Sequence, residues 1–236
     1  MTDQSLTIGI LGGMGPHATV AFLDKIVHLT PAAKDWDHLH VVVDNHPKIP
    51  SRTRHILYDE PSPVPGMIDA CRRLETYPVD FIALPCNSAC YFLDQIAPHL
   101  SVPVLNIMEE TVRAVSASGG RIERCLALGG RVTWAKRTYE PFLRAAGITY
   151  VHHDEAEQQQ VEALIEAIKL DAGNAVNNAR AREVILAMAA VHGADCIILG
   201  CTEFGCLEGE EFPFPVFDSS HELARSVVAK ALKGAS

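Results

Sequence analysis

Three stretches of this chain recur in the same order at nearly one offset, and that constrains the fold more than any other feature. Ile8-Gly9-Ile10-Leu11-Gly12-Gly13 resembles Cys125-Leu126-Ala127-Leu128-Gly129-Gly130, 117 positions later. Ile82-Ala83-Leu84-Pro85-Cys86-Asn87 resembles Ile197-Ile198-Leu199-Gly200-Cys201-Thr202, 115 positions later. Pro103-Val104-Leu105-Asn106 resembles Pro215-Val216-Phe217-Asp218, 112 positions later. Buried parallel strands are Ile, Val and Leu runs closed by Gly or Pro, so one match alone says little. Shared order and offset point to duplicated halves.

The runs Thr7–Leu11, Leu39–Val43, Phe81–Leu84, Val102–Leu105, Arg124–Leu128, Cys196–Leu199 and Phe214–Phe217 are short, apolar and separated by stretches with helical spacing. Strands of that kind are covered on both faces, which predicts an α/β chain of parallel strands with crossover helices. The expected architecture is two pseudo-symmetric open parallel-sheet α/β domains with the active site between them. Residues 1–106 plus 219–236 form the first half, and 107–218 the second. Open sheets bind ligands at the C-terminal edge of their strands, so a ligand there would meet Cys86 and Cys201 from opposite sides. Asn45–Pro65, with five prolines, reads as a long loop, and 154–169 and 174–191 read as helices that add cover to the second half.

A net charge of −9, with no run of Lys and Arg able to track a phosphate backbone, argues against nucleic-acid binding. Seven cysteines without a small-secreted-domain spacing fit a reducing compartment, the cytoplasm. The first apolar run, Leu6–Leu11, is too short for a signal peptide or a membrane span.

Cys86 and Cys201 each close a strand and open a helix, followed by Asn87-Ser88 and Thr202-Glu203. Backbone N–H groups at such a turn attract anions, the Asn, Ser and Thr side chains add donors, and a helix N-terminus favours a thiolate. The pattern suits acid–base chemistry on a small carboxylate. A lone cysteine at a strand end is also an ordinary small buried hydrophobe, the reading given to Cys71, Cys125, Cys196 and Cys206. Cys86 with Cys90 and Cys201 with Cys206 have poor spacing for zinc, and no C-x-x-C supports a thioredoxin-like role. Gly13-Met14-Gly15-Pro16-His17-Ala18 matches G-x-G-x-x-A. The next strand ends about thirty residues on rather than about twenty, so a tight loop admitting a small ligand is preferred to a dinucleotide site.

Four blocks carry a resemblance: Gly12-Gly13-Met14-Gly15-Pro16, the run from Asn45 to Thr53 with Ile49-Pro50-Ser51-Arg52, Pro85-Cys86-Asn87-Ser88, and Gly200-Cys201-Thr202-Glu203. Together they resemble the aspartate/glutamate racemase family over nearly the whole chain. The resemblance implies a homodimer of pseudo-symmetric α/β halves that inverts acidic amino acids, aspartate before glutamate, without pyridoxal phosphate or metal. It implies that Cys86 and Cys201 are the catalytic thiols and that Asn87, Ser88 and Thr202 hold the α-carboxylate. Arg52 would meet the side-chain carboxylate, Met14 would line the substrate loop, and Lys169, in a stretch from Ile168 to Asn174 resembling the family's Lys-Ala-Gly region, would assist. The chain departs from the pattern at Cys90, where many members have His, and at Leu170-Asp171, which separate Lys169 from Ala172-Gly173. A related decarboxylase or isomerase of small dicarboxylates, and a non-catalytic amino-acid binding protein, remain alternatives.

Overall fold

The computed structural model describes residues 5–171, 174–207 and 211–233, with the side chains of Cys206 and Leu207 left out. The chain forms two compact units, Met1–Ile107 with Ser220–Ser236, and Met108–Ser219.

The first unit runs β1 (Ile8–Gly12), α1 (Pro16–Leu29), β2 (Val41–Asn45), α2 (Arg52–Tyr58), α3 (Val64–Leu74), β3 (Phe81–Ala83), α4 (Asn87–Cys90), α5 (Leu93–Ile96) and β4 (Val104–Leu105). Its four strands are all parallel, in the order β2-β1-β3-β4. Every residue of β1 and β3 is buried, as expected of strands covered on both faces. Helix α1 starts with Pro16 at a position that needs no N–H donor, and it buries Ala18, Thr19, Phe22 and Ile26 at helical spacing. The stretch expected to be a loop, Asn45–Pro65, contains α2. Ser51 caps it by accepting a hydrogen bond from Arg54 N at 3.3 Å, a start signal obscured by the surrounding prolines.

The chain continues through α6 (Ile107–Ala117), β5 (Arg124–Gly129), α7 (Arg131–Ala135), α8 (Glu140–Ala145), β6 (Thr149–Val151), α9 (Glu155–Leu170), α10 (Ala175–His192), β7 (Cys196–Gly200), a 3-10 turn (Thr202–Leu207), β8 (Val216–Asp218) and α11 (Ser219–Lys233). The second sheet is again four parallel strands, in the equivalent order β6-β5-β7-β8. Asp154 and Glu157 form a capping box that fixes the start of α9. Leu164, Ile168, Ile185 and Met188 of α9 and α10 pack on Leu126, Leu128, Ile197 and Leu199 of the sheet. Helix α11 returns to the first unit, where Leu6 N donates to Ala231 O at 3.0 Å and Lys230 lies 5.4 Å from the Phe81 ring centroid. No described helix is long and apolar enough to cross a membrane.

Candidate active site

Parallel strands put all their C-termini on one edge of a sheet, so in the first unit the loops after β1, β2 and β3 share that edge. Cys86 stands there, 8% exposed, as the extended N-cap of α4, and Ala89 N and Cys90 N both donate to its carbonyl at 3.1 Å. Asn87 is 4% exposed and Ser88 half-buried in the first turn of α4. The helix expected after this cysteine is a single turn, so its contribution to anion binding is local N–H groups rather than a long dipole.

The loop after β1 is tightly held. Gly13 adopts φ +87°, and a Cβ there would stand 2.3 Å from the His46 carbonyl carbon, so only glycine fits. Gly13 N donates to Thr19 Oγ1 at 2.9 Å, and Thr19 Oγ1 donates to Gly15 O at 2.9 Å. Arg52 Nη1 donates to Pro50 O at 3.0 Å, and longer contacts of 3.5 Å reach Ile49 O and Met14 O. Arg52 and Met14 are thus brought together, with the guanidinium tying two loops. Arg52 Nε is buried and has no protein partner.

In the second unit Cys201 follows β7 and is half-buried, and Phe204 N closes the 3-10 turn on Cys201 O at 3.1 Å. Thr202 opens that turn, half-buried. Lys169 lies in the last turn of α9, exposed, 3.7 Å from Glu166. Ala172-Gly173, needed for the Lys-Ala-Gly comparison, lie outside the described residues.

The six cysteines whose side chains are described carry thiols, not disulfides. Cys90 is 3% exposed, its thiol 3.7 Å from Leu84 O, and burial pushes that thiol well above the ordinary range. Burial likewise pushes Cys71 up to about 12. Cys125 and Cys196 face each other in register across β5 and β7, and their mutual thiol hydrogen bond, with burial, raises the Cys125 pKa. Cys71, Cys90 and Cys125 are thereby kept from ionising readily. Among the described residues no group of three or more His, Cys, Asp or Glu side chains could hold a metal ion.

Sequence reasoning missed a polar group at the tip of β5. Arg131 meets Glu155 at 2.7 Å and Glu162 at 2.7 Å, and its guanidinium lies 5.1 Å from the Trp134 ring centroid. Gln158 is fully buried, and its Nε2 donates to Gly129 O at 3.0 Å. Thr133, at the start of α7, is 1% exposed and its hydroxyl has no protein partner. Thr133 packs against Gly129 much as Thr19 packs against Gly12, so the repeat at Gly129-Gly130 already held the signal.

Each unit therefore offers a thiol at the tip of the third strand in its sheet order, followed by side chains able to donate to an anion. The sequence profile of the Asp/Glu/hydantoin racemase family matches residues 11–227. The broad specificity amino-acid racemase RacX of Bacillus subtilis (strain 168) is 35% identical over 230 residues, covering 95% of this chain and 98% of the relative. The structure of Picrophilus torridus aspartate racemase matches with a TM-score of 0.83 and 29% identity, over 96% of this chain and 94% of that one. An aspartate racemase homologue from Pyrococcus horikoshii OT3 matches with a TM-score of 0.78 and 20% identity, over 95% and 98% of the two chains, a likeness of fold.

Proposed function

The chain belongs to the Asp/Glu/hydantoin racemase family, and from that membership we propose that it racemises a small acidic amino acid, aspartate before glutamate, by a two-base thiol mechanism. The observation that carries the reading is the matching place of Cys86 and Cys201, each at the tip of the third strand of a four-stranded sheet of the same order. One cysteine, as thiolate, removes the α-proton, and the other, as thiol, returns a proton to the opposite face. The reverse reaction exchanges their roles. With each sulfur about 3 to 3.5 Å from the α-carbon, the two would stand about 6 to 8 Å apart in the substrate complex.

A carbon acid is far weaker than a thiol, so donors must stabilise the carbanion-like state. Asn87, Ser88 and Thr202 would hold the α-carboxylate, with Met14 against the substrate and Lys169 assisting. Arg52 would receive the side-chain carboxylate. Its unpartnered Nε–H, beside Nη2, is the edge of the guanidinium suited to a bidentate carboxylate. The chemistry requires no pyridoxal phosphate or metal, and the reading extends to a cytoplasmic homodimer.

A second reading is broader substrate range. Arg52 already meets backbone carbonyls, and a relative 35% identical is a broad specificity amino-acid racemase. An arginine that braces loops would discriminate little between side chains.

The test is α-proton exchange of L-aspartate, L-glutamate and a panel of neutral L-amino acids in D₂O, followed by NMR under reducing conditions without added pyridoxal phosphate. Deuterium incorporation with formation of the D-isomer, with racemisation lost in Cys86→Ala and in Cys201→Ala, is expected. Activity that survives either substitution overturns the two-thiol mechanism, and exchange confined to neutral amino acids overturns the acidic substrate.

A further inference from the structure

Within the second unit a closed ring of polar contacts surrounds the tip of β5, and the proposed chemistry gives it no task. Gln158 Nε2 donates to Gly129 O at 3.0 Å and to Glu162 Oε1 at 2.7 Å. Both partners accept only, so the carboxamide is oriented with its oxygen toward His153, whose Nε2 lies 2.8 Å away and must carry the proton. Glu162 also accepts from Arg131, Arg131 lies over Trp134, and Trp134 Nε1 donates to His153 O at 2.9 Å, which closes the ring. Gln158 is 0% exposed and His153 1% exposed.

The ring bonds to a strand at Gly129, which pairs in register with Gly200, the residue before Cys201. The contact there is close: a Cβ on Gly129 would stand 2.8 Å from Gly200 O. A shift of the Gly129 peptide is therefore passed to the peptide that leads into Cys201, because packed backbone leaves no slack.

We infer that Gln158 is a positioning residue: its carboxamide fixes the Gly129 peptide and, through the Gly129–Gly200 contact, the placement of the Cys201 thiol. That bearing on turnover rests on the racemase reading, in which Cys201 is one of two reacting thiols. The effect on Cys201 itself does not. A small displacement of a reacting group costs rate far more than it costs substrate affinity.

The test compares Gln158→Met, nearly isosteric but without hydrogen bonds, with Glu162→Gln, whose amide oxygen still accepts from Gln158 while the Arg131 ion pair is lost. Gln158→Asn, too short to reach Gly129, replaces the first variant if it does not fold. Iodoacetamide labelling of the native proteins, resolved by peptide mass spectrometry, gives the rate at Cys201 relative to Cys86. In Gln158→Met this ratio is expected to change at least about threefold, with exchange slowed about tenfold at a KM within about threefold of the unsubstituted enzyme. In Glu162→Gln the ratio stays within about twofold, although the melting temperature falls.

An unchanged ratio in Gln158→Met overturns the inference. So does an equal change at both thiols, which marks general loosening, or an equal change of ratio in Glu162→Gln. If the unsubstituted chain exchanges no α-proton but the ratio still shifts, the racemase reading falls and the positioning of Cys201 stands.

Discussion

Strands β1 and β5 each end in a glycine that a second glycine follows, and the two units close that tip by different means. In the first, Gly12 O accepts from His46 N at 3.4 Å, Gly13 presses its Cα against the His46 backbone at φ +87°, and Thr19 secures the loop. In the second, Gly130 has an ordinary φ of −66° with nothing near the place of a Cβ, and Gly129 O is held by Gln158 from 29 positions away. One topology thus tolerates closure by steric fit or by a side-chain network. Steric closure admits almost no substitution, whereas a network can be weakened one bond at a time.

The comparison breaks most sharply at the thiols. If the units are equal chemical partners, Cys86→Ala and Cys201→Ala each lower racemisation by about a thousandfold or more, measured by chiral chromatography. A variant keeping a tenth of the rate would make one unit dispensable. Gly13→Ala should cost about 3 kcal/mol or more in denaturant unfolding, since it meets backbone at a strained φ, while Gly130→Ala should cost about 1 kcal/mol or less. Equal losses would remove the distinction between the two tips.

Arg131→Ala leaves Glu155 and Glu162 without their cation, and with Arg131 only 21% exposed the cost should be about 1 to 2 kcal/mol, read in the same unfolding experiment. The smallest effect is on pH dependence. Burial, above all, lowers the pKa of His153, and burial likewise lowers that of His152, so the folded second unit binds these protons less readily than the unfolded chain. Their contribution is fully present above the ordinary imidazole pKa of about 6.5 and is lost as pH falls toward the depressed folded values. The fall in melting temperature from pH 7.5 to pH 5.5 should therefore become smaller when His153→Gln is made. An unchanged pH dependence would leave His153 out of the ring's electrostatics.

Most of the fold could be read from apolar runs, because parallel strands buried on both faces advertise themselves: seven runs each overlap a strand. The remaining strand, β6, escaped notice because it is three residues long and only Val151 is buried. Helix α2 was hidden among prolines. The two thiols and their neighbouring donors stood out by repetition, whereas Gln158 did not. A glutamine among Glu155, Glu157, Gln159 and Gln160 looks like part of a solvated face, and only the packing of α9 on β5 turns it inward. Arg131 gave no signal either, since its partners Glu155 and Glu162 lie 24 and 31 positions away.

Helix α11 supplies Leu223, Ala224, Val227 and Ala231, all fully buried, and its return to the first unit sets an order of events during synthesis. The second unit, Met108–Ser219, is one uninterrupted run of 112 residues whose core is complete when its last strand emerges. At translation rates of roughly 5–20 residues per second, making that run takes about 6 to 22 s. For that interval the nascent first sheet stands beside the ribosome without its final helix, so the part of the molecule begun first is sealed last.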